Sequence, residues 1–286
     1  FRLGQVERAL LAAAAQQQAH QQDGRQTVSH EVCPGNGRFS IRAQYTGTVR
    51  QTQRQHGILA SMNNDYLDAV EINPAGPATA CIIWLHGLGA DGQDFAALIP
   101  QLDIVDTLGV RVVLPHAPQR AVTINGGMHM PAGYDIQSTD FGHEQDSAGI
   151  EASAGQLRAL IQREVDSGMP AGRIILAGFS QGGAIVLHTG LRYPQPLAGI
   201  LALSTYLPLA DSLAAQASAA NRSVPIMMAH GMQDPVVPVM LALQSRDRLA
   251  ELGYTVDWHS YAMQHAVCPQ EVGDIRAWLL QRLEST

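Results

Sequence analysis

With 286 residues, 46% of them hydrophobic and 15% charged, the chain has enough apolar mass for one large α/β domain or two small ones. No apolar run approaches the roughly 20 residues that a membrane-spanning helix needs, so a spanning role is not expected. All 18 basic residues are arginine, and the acidic main body carries no basic stripe, which argues against a nucleic-acid partner.

Charge divides the chain. Residues 1–61 hold seven Arg against three acids, whereas 62–286 hold eleven Arg against twenty-two acids. The first part is rich in Gln, Ala, Gly and Arg and shows little apolar periodicity beyond Ala9 to Ala15, a composition that buries little surface. Arg2 and Arg8 before that apolar run faintly resemble a targeting peptide. The run is of minimal length, Glu7 interrupts the basic region, and no clean small-residue cleavage site follows. The first Met is Met62, immediately before the globular pattern begins. The expectation is therefore a disordered or non-native extension over 1–61, a native start at Met62, and one catalytic domain over 62–286. Cys33, Cys81 and Cys268 form no C-x-x-C pair and no metal spacing, which suits a reducing, cytoplasmic compartment.

From residue 62 onward, strand and helix patterns alternate. Strands are expected at Tyr66–Ile72, Ala80–Leu85, Val110–Leu114, Arg173–Leu176, Ala198–Leu203, Pro225–Ala229 and Thr255–Tyr261. Most are short continuous apolar runs, the signature of parallel strands buried on both faces. Ile150, Ala154, Leu157, Ile161 and Val165 step along one helical face, as do Val272, Ile275, Leu279 and Leu283. The alternation predicts an α/β fold, a parallel sheet with helices on both sides. The segment Ala121 to Gly142 carries Gly, Met, Pro and Tyr without clear periodicity and follows a strand. Two readings stand side by side: a functional loop at the ligand-binding edge of the sheet, or a surface loop packed by its own Met and Tyr.

Gly178-Phe179-Ser180-Gln181-Gly182 follows the apolar run Ile174 to Leu176 and opens a helical stretch, Ala184 to Arg192. A serine hydroxyl is a poor nucleophile unless it is exposed, held near a base and faced by oxyanion donors, and a tight strand-to-helix turn supplies the exposure. Glycines at 178 and 182 fit such a turn, where strand and helix approach too closely for side chains.

A base and an orienting acid are then needed, in the chain order Ser, acid, His. Pro225 to Ala229 runs into a loop that carries Asp234, kept extended by Pro235 and Pro238. His265 follows the strand Thr255–Tyr261; its competitor His259 lies within that strand and reads as packed or surface histidine. His86 and His230 each precede a Gly at a strand end, where turn-bonding roles fit better. The Gly-rich loop His86-Gly87-Leu88-Gly89 supplies the Leu88 amide as one oxyanion donor, with the Gln181 amide as the other. That loop lacks the lysine and pattern of a phosphate loop. No H-E-x-x-H motif or His/carboxylate cluster suggests a metal, and no cofactor is expected; Cys268 reads as a small buried apolar residue.

In this order, His86-Gly87-Leu88-Gly89, Asn125-Gly126-Gly127, Gly178-Phe179-Ser180-Gln181-Gly182-Gly183, His230-Gly231-x-x-Asp234-x-Val236-Val237 and Met263-x-His265 make the chain resemble the phospholipase/carboxylesterase family. The resemblance runs from about Met62 to the C-terminus. It implies an α/β-hydrolase fold with a mostly parallel sheet of about seven strands and a small lid loop, acting on small esters or thioesters, often as a homodimer. By that resemblance Ser180 is the nucleophile, Asp234 the orienting acid, His265 the base, and Leu88 and Gln181 the oxyanion donors. Gly87, Gly89, Asn125, Met128, Met130, Gly133 and Tyr134 are the residues expected to meet substrate.

Two positions depart from the family pattern: Gln264 stands where Gly usually precedes the His, and Gly133 where Trp is usual. The second removes an aromatic wall and widens or loosens the acyl pocket. The expected activity is that of a serine carboxylesterase working through an acyl-enzyme. Alternatives are an acyl-protein thioesterase or lysophospholipase acting on longer acyl chains and, more remotely, a noncatalytic binding protein on the same fold.

Overall fold

The computed structural model describes residues 66–138 and 145–284; the expectations for residues 1–61 lie outside them. All seven expected strands form, joined in one sheet: β1 (Ala69–Ile72), β2 (Ala80–Leu85), β3 (Val110–Pro115), β6 (Ile174–Phe179), β7 (Gly199–Leu203), β8 (Ile226–Gly231) and β9 (Val256–Tyr261). Their order is β1-β3-β2-β6-β7-β8-β9. Only β1 runs antiparallel, against β3; every other pairing is parallel.

Because side chains alternate across a strand, each continuous apolar run feeds two cores. Ile83, Leu176, Ala202 and Met228 point to one face, packed beneath α4 (Ser147–Asp166) and α5 (Gln181–Gly190) through Ile150, Leu157, Ile161 and Ile185. Their neighbours Ile82, Ile175, Leu201 and Met227 point to the other. There they meet Ile99 and Leu102 of α2 (Ile99–Leu102) and Ile275, Trp278 and Leu279 of α8 (Pro269–Leu283). Cys81 is buried in the first core and Cys268 in the second. Burial, followed by the nearby Glu164 carboxylate, pushes the Cys81 thiol well above its ordinary range.

Between β1–β3 and α4 the structure differs from the sequence reading. The segment taken as an irregular loop contains a hairpin, β4 (Gln119–Val122) and β5 (Met128–Pro131), paired antiparallel as a separate two-stranded sheet. A turn of 3-10 helix over Thr123–Asn125 joins them, followed by Gly126 and Gly127 at φ +67° and +77°. The hairpin is too short and too rich in Gly, Met and Pro for its alternation to stand out. Its inner residues Val122, Met130 and Ala132 pack on Leu88, so the hairpin braces the Gly-rich loop that follows β2. The remaining helices are α1 (Gln93–Ala96) and α3 (Val105–Leu108) ahead of β3, and α6 (Ala210–Gln216) and α7 (Val239–Glu251) on either side of β8. No helix among the described residues is long and apolar enough to cross a membrane.

Candidate active site

Ser180 links β6 to α5 with φ 54° and ψ −120°. A residue with a Cβ is strained there by about 1–3 kcal/mol, and holds only where its surroundings over-determine it. Here they do. The Ser180 amide donates to Leu203 O at 2.8 Å, and Thr205 Oγ1 donates to Ser180 O at 2.6 Å. A Cβ on Gly178 would lie 2.5 Å from the Gly182 carbonyl, and one on Gly182 would lie 2.5 Å from both Leu85 O and His86 O. Strand, turn and helix therefore meet backbone to backbone, and the hydroxyl stands at the carboxyl edge of the sheet.

The loops that carry Asp234 and His265 are joined in the same way. Met232 N–H donates to Tyr261 O at 2.8 Å and Gln233 N–H to Met263 O at 3.0 Å, and a side chain on Gly231 would overlap the Gln264 carbonyl. Asp234 is thereby carried to His265: Nδ1 lies 2.6 Å from Asp234 Oδ2. The other carboxylate oxygen, Oδ1, accepts from the amides of Val236 and Val237 at 2.8 and 2.9 Å. Burial alone would raise the Asp234 pKa; hydrogen bonds from His230 and His265 and from the Val237 amide outweigh it and hold the carboxyl at about 2. With Asp234 ionised, His265 Nδ1 is the donor of their short bond and Nε2 is free to accept a proton. The His265 ring packs against Phe179, 4.7 Å between centroids, which brings it to the residue preceding Ser180. The hydroxyl of Ser180 makes no hydrogen bond to His265 in this resting arrangement; such bonds commonly tighten only when substrate binds.

His259, the competing base, lies apart, its Nε2 3.0 Å from Asp257 Oδ1 on the surface.

The register Leu85↔Gly178 sets the ends of β2 and β6 side by side, so the loop after β2 faces the turn after β6. In that loop His86 Nε2 accepts from the Ala117 amide at 2.9 Å, which leaves Nδ1 to donate to Gly87 O at 2.7 Å. Burial lowers the His86 pKa, in keeping with this neutral tautomer. The amide of Gly89, at φ +78°, donates to Pro131 O at 2.8 Å, and that of Ala90 to Gly87 O. The amides of Leu88 and Gln181 meet no acceptor among the described residues.

Of the residues expected to meet substrate, Gly87 and Gly89 lie in this loop. Met128 is 46% exposed on the hairpin. Asn125, Met130 and Tyr134 are buried. Asn125 Nδ2 contacts Met130 Sδ at 3.2 Å, and the Tyr134 hydroxyl pairs with that of Tyr206 at 2.8 Å. Gly133 donates its amide to Gln181 Oε1 at 2.7 Å, and its carbonyl accepts from Ser153 Oγ. A cavity of about 40 Å³ beside it is walled by Leu85, Leu157, Leu160 and Ile185.

The sequence pointed to Gln181 for its amide alone. Its side chain also spans the hairpin tail, donating from Nε2 to Tyr134 O at 2.8 Å. No signal short of the fold reveals that partner. Among the described residues no group of three or more His, Cys, Asp or Glu side chains is placed to share a metal ion.

Comparison with known proteins gives the same family as the motifs. The sequence profile of the phospholipase/carboxylesterase family matches residues 67–282. Acyl-protein thioesterase 1 of Neurospora crassa is 44% identical over 214 residues, covering 72% of this chain and 87% of that protein. Its namesake from Yarrowia lipolytica is 38% identical, covering 76% and 97%. The crystal structure of acyl-protein thioesterase 2 from Zea mays superposes with a TM-score of 0.68 at 28% identity, covering 76% of this chain and all (100%) of that one. These relatives make the protein a hydrolase of acyl esters or thioesters rather than a noncatalytic binding protein. The chain belongs to the phospholipase/carboxylesterase family, as a serine-type enzyme of the α/β-hydrolase fold.

Proposed function

We propose that Ser180, His265 and Asp234 form a catalytic triad and that the enzyme's principal substrates are thioesters of S-acylated proteins. The observation that supports the triad best is the 2.6 Å bond between a buried, ionised Asp234 and His265 beside the strained Ser180 turn. The substrate reading rests on the thioesterase relatives, which favour it over the broader carboxylesterase reading of the sequence. Ser180 Oγ attacks the acyl carbonyl while His265 Nε2 takes its proton. The oxyanion is met by the amides of Leu88 and Gln181, each such donor supplying on the order of 3 kcal/mol. His265 then protonates the leaving thiolate or alkoxide, and water repeats the sequence on the acyl-enzyme. Asp234 holds the imidazole tautomer throughout.

The test pairs one variant with one substrate series. Ser180→Ala should lower kcat on the order of 10⁵-fold and abolish labelling by a fluorophosphonate while the melting curve persists. For the wild-type enzyme, kcat/KM on S-acyl peptides should rise from acetyl to palmitoyl and exceed that on the matching oxygen esters. A maximum at short oxygen esters would return the enzyme to the carboxylesterase reading, and retained turnover in Ser180→Ala would remove the serine mechanism.

A further inference from the structure

His230 is fully inside the protein, the penultimate residue of strand β8 before the acid loop, and the proposed mechanism makes no use of it. Its Nε2 lies 2.8 Å from Val237 O and 3.4 Å from Asp234 Oδ2. A carbonyl oxygen only accepts, so Nε2 carries the ring proton and donates it to Val237 O, with the Asp234 carboxylate beside it at longer range. Nδ1 is then bare, and it is buried without a partner. The ring is parallel to Trp258 of β9, 6.4 Å away at 15°, and Trp258 is in turn covered by the Arg246 guanidinium of α7 at 5.5 Å. The charged groups around His230 are thus Asp234 on its own loop, His265 on the loop after β9 and Arg246 behind Trp258.

Asp234 Oδ2 consequently faces two imidazoles. One belongs to the proposed proton relay; the other is held between its strand and a ring stack. Oδ1 is already saturated by two amides. Without His230, the Oδ2 side of the carboxylate would have only His265 to orient it, and the far end of the acid loop, at Val237, would lose its tie to β8. From this the geometry points to His230 as a positioning residue for catalysis: it locks the carboxylate of Asp234 so that Oδ2 stays directed at His265 Nδ1, the acid loop being closed by the same proton. The inference rests on the reading of Asp234 and His265 as acid and base.

His230→Leu removes the donor and keeps an apolar side chain. His230→Gln restores an amide N–H at about the place of Nε2. Rates are measured on p-nitrophenyl butyrate and expressed per active site titrated with a fluorophosphonate, so that loss of folded protein does not enter. The Leu variant should lose about tenfold or more in kcat with KM within about threefold, and the Gln variant should recover most of that loss. An unchanged kcat per titrated site in the Leu variant, or equal losses in both variants, overturns the inference. Should the Leu variant fail to fold, ¹⁵N NMR of the wild-type protein decides: protonated Nε2 with bare Nδ1 on His230 supports the assignment, and the opposite tautomer overturns it. Failure of the underlying reading looks different, since Asp234→Asn would then keep its turnover whatever His230 does.

Discussion

The turn that carries Ser180 and the hairpin that faces it are held by opposite means. Around Ser180 the constraint is mainly steric: Gly178 and Gly182 sit where a single added carbon would come to 2.5 Å of backbone atoms, and one side-chain bond, from Thr205 Oγ1 to Ser180 O, adds to it. In the hairpin and its tail the constraint is made of side chains. Asp135 takes the Thr123 amide and hydroxyl at 2.7 and 2.6 Å, Asp146 takes the Asp135 amide at 2.9 Å, and Gln181 takes both ends of the 133–134 peptide. Around Gly126 and Gly127 there is open space, with nothing within 4 Å of an added Cβ. The hairpin turn therefore leaves room for exchange of its residues, while the Ser180 turn admits almost no change.

Gly182→Ala is the sharpest way to break the first half of that contrast. The new methyl would press on the carbonyls of Leu85 and His86, both backbone, so the helix or the Gly-rich loop must move. Overpacking of this kind costs about 3 kcal/mol, and a shift of about 1 Å in an oxyanion donor about 10²-fold in rate. Thermal unfolding together with kcat per fluorophosphonate-labelled site measures both. A folded variant with wild-type turnover would show that the turn has slack and that its glycines serve another purpose.

The same contrast explains what could be read from the sequence. The inner strands of the main sheet were legible because a strand buried on both faces has no choice but a continuous apolar run, as in Cys81 to Leu85 or Ile174 to Ala177, whereas the edge strand β9 is only partly buried and showed as alternation. Ser180, Asp234 and His265 were singled out by chain order and strand ends, and the structure sets Asp234 beside His265. The hairpin was not: its four-residue strands alternate over too few positions, and their pairing is settled by contacts with Leu88 and Gln181 that are distant in sequence. His230 was read as a turn residue. Its contact with Val237 O appears only when the acid loop folds back on the strand.

Gln181→Met tests the second half at its strongest point. Gln181 is 5% exposed, and loss of its amide group leaves the half-buried Gly133 amide and the buried Tyr134 carbonyl without partners. Each unsatisfied group costs about 1–3 kcal/mol, so the melting temperature should fall by roughly 5–10 °C for a domain of this size. The Gln181 amide and Ser180 remain, so fluorophosphonate labelling should persist while the acyl-chain preference flattens. A variant as stable as the wild type would mean that the hairpin tail is held by Ser153 and Asp146 alone.

The smallest effect is expected at Gly126, where conformation alone is at stake. Its φ of +67° is a left-handed geometry that an alanine adopts at a cost of about 1–2 kcal/mol, and no neighbour lies within 4 Å to add a clash. Part of that cost is returned, because alanine also restricts the unfolded chain by about 0.4–1 kcal/mol. Gly126→Ala should therefore lower stability by about 1 kcal/mol, well below Gly182→Ala even though both exchange one hydrogen for one methyl. Denaturant titration of the two variants side by side gives the comparison directly. Equal losses would mean that the open space around Gly126 closes in solution, and the hairpin would then be fixed sterically, as the Ser180 turn is.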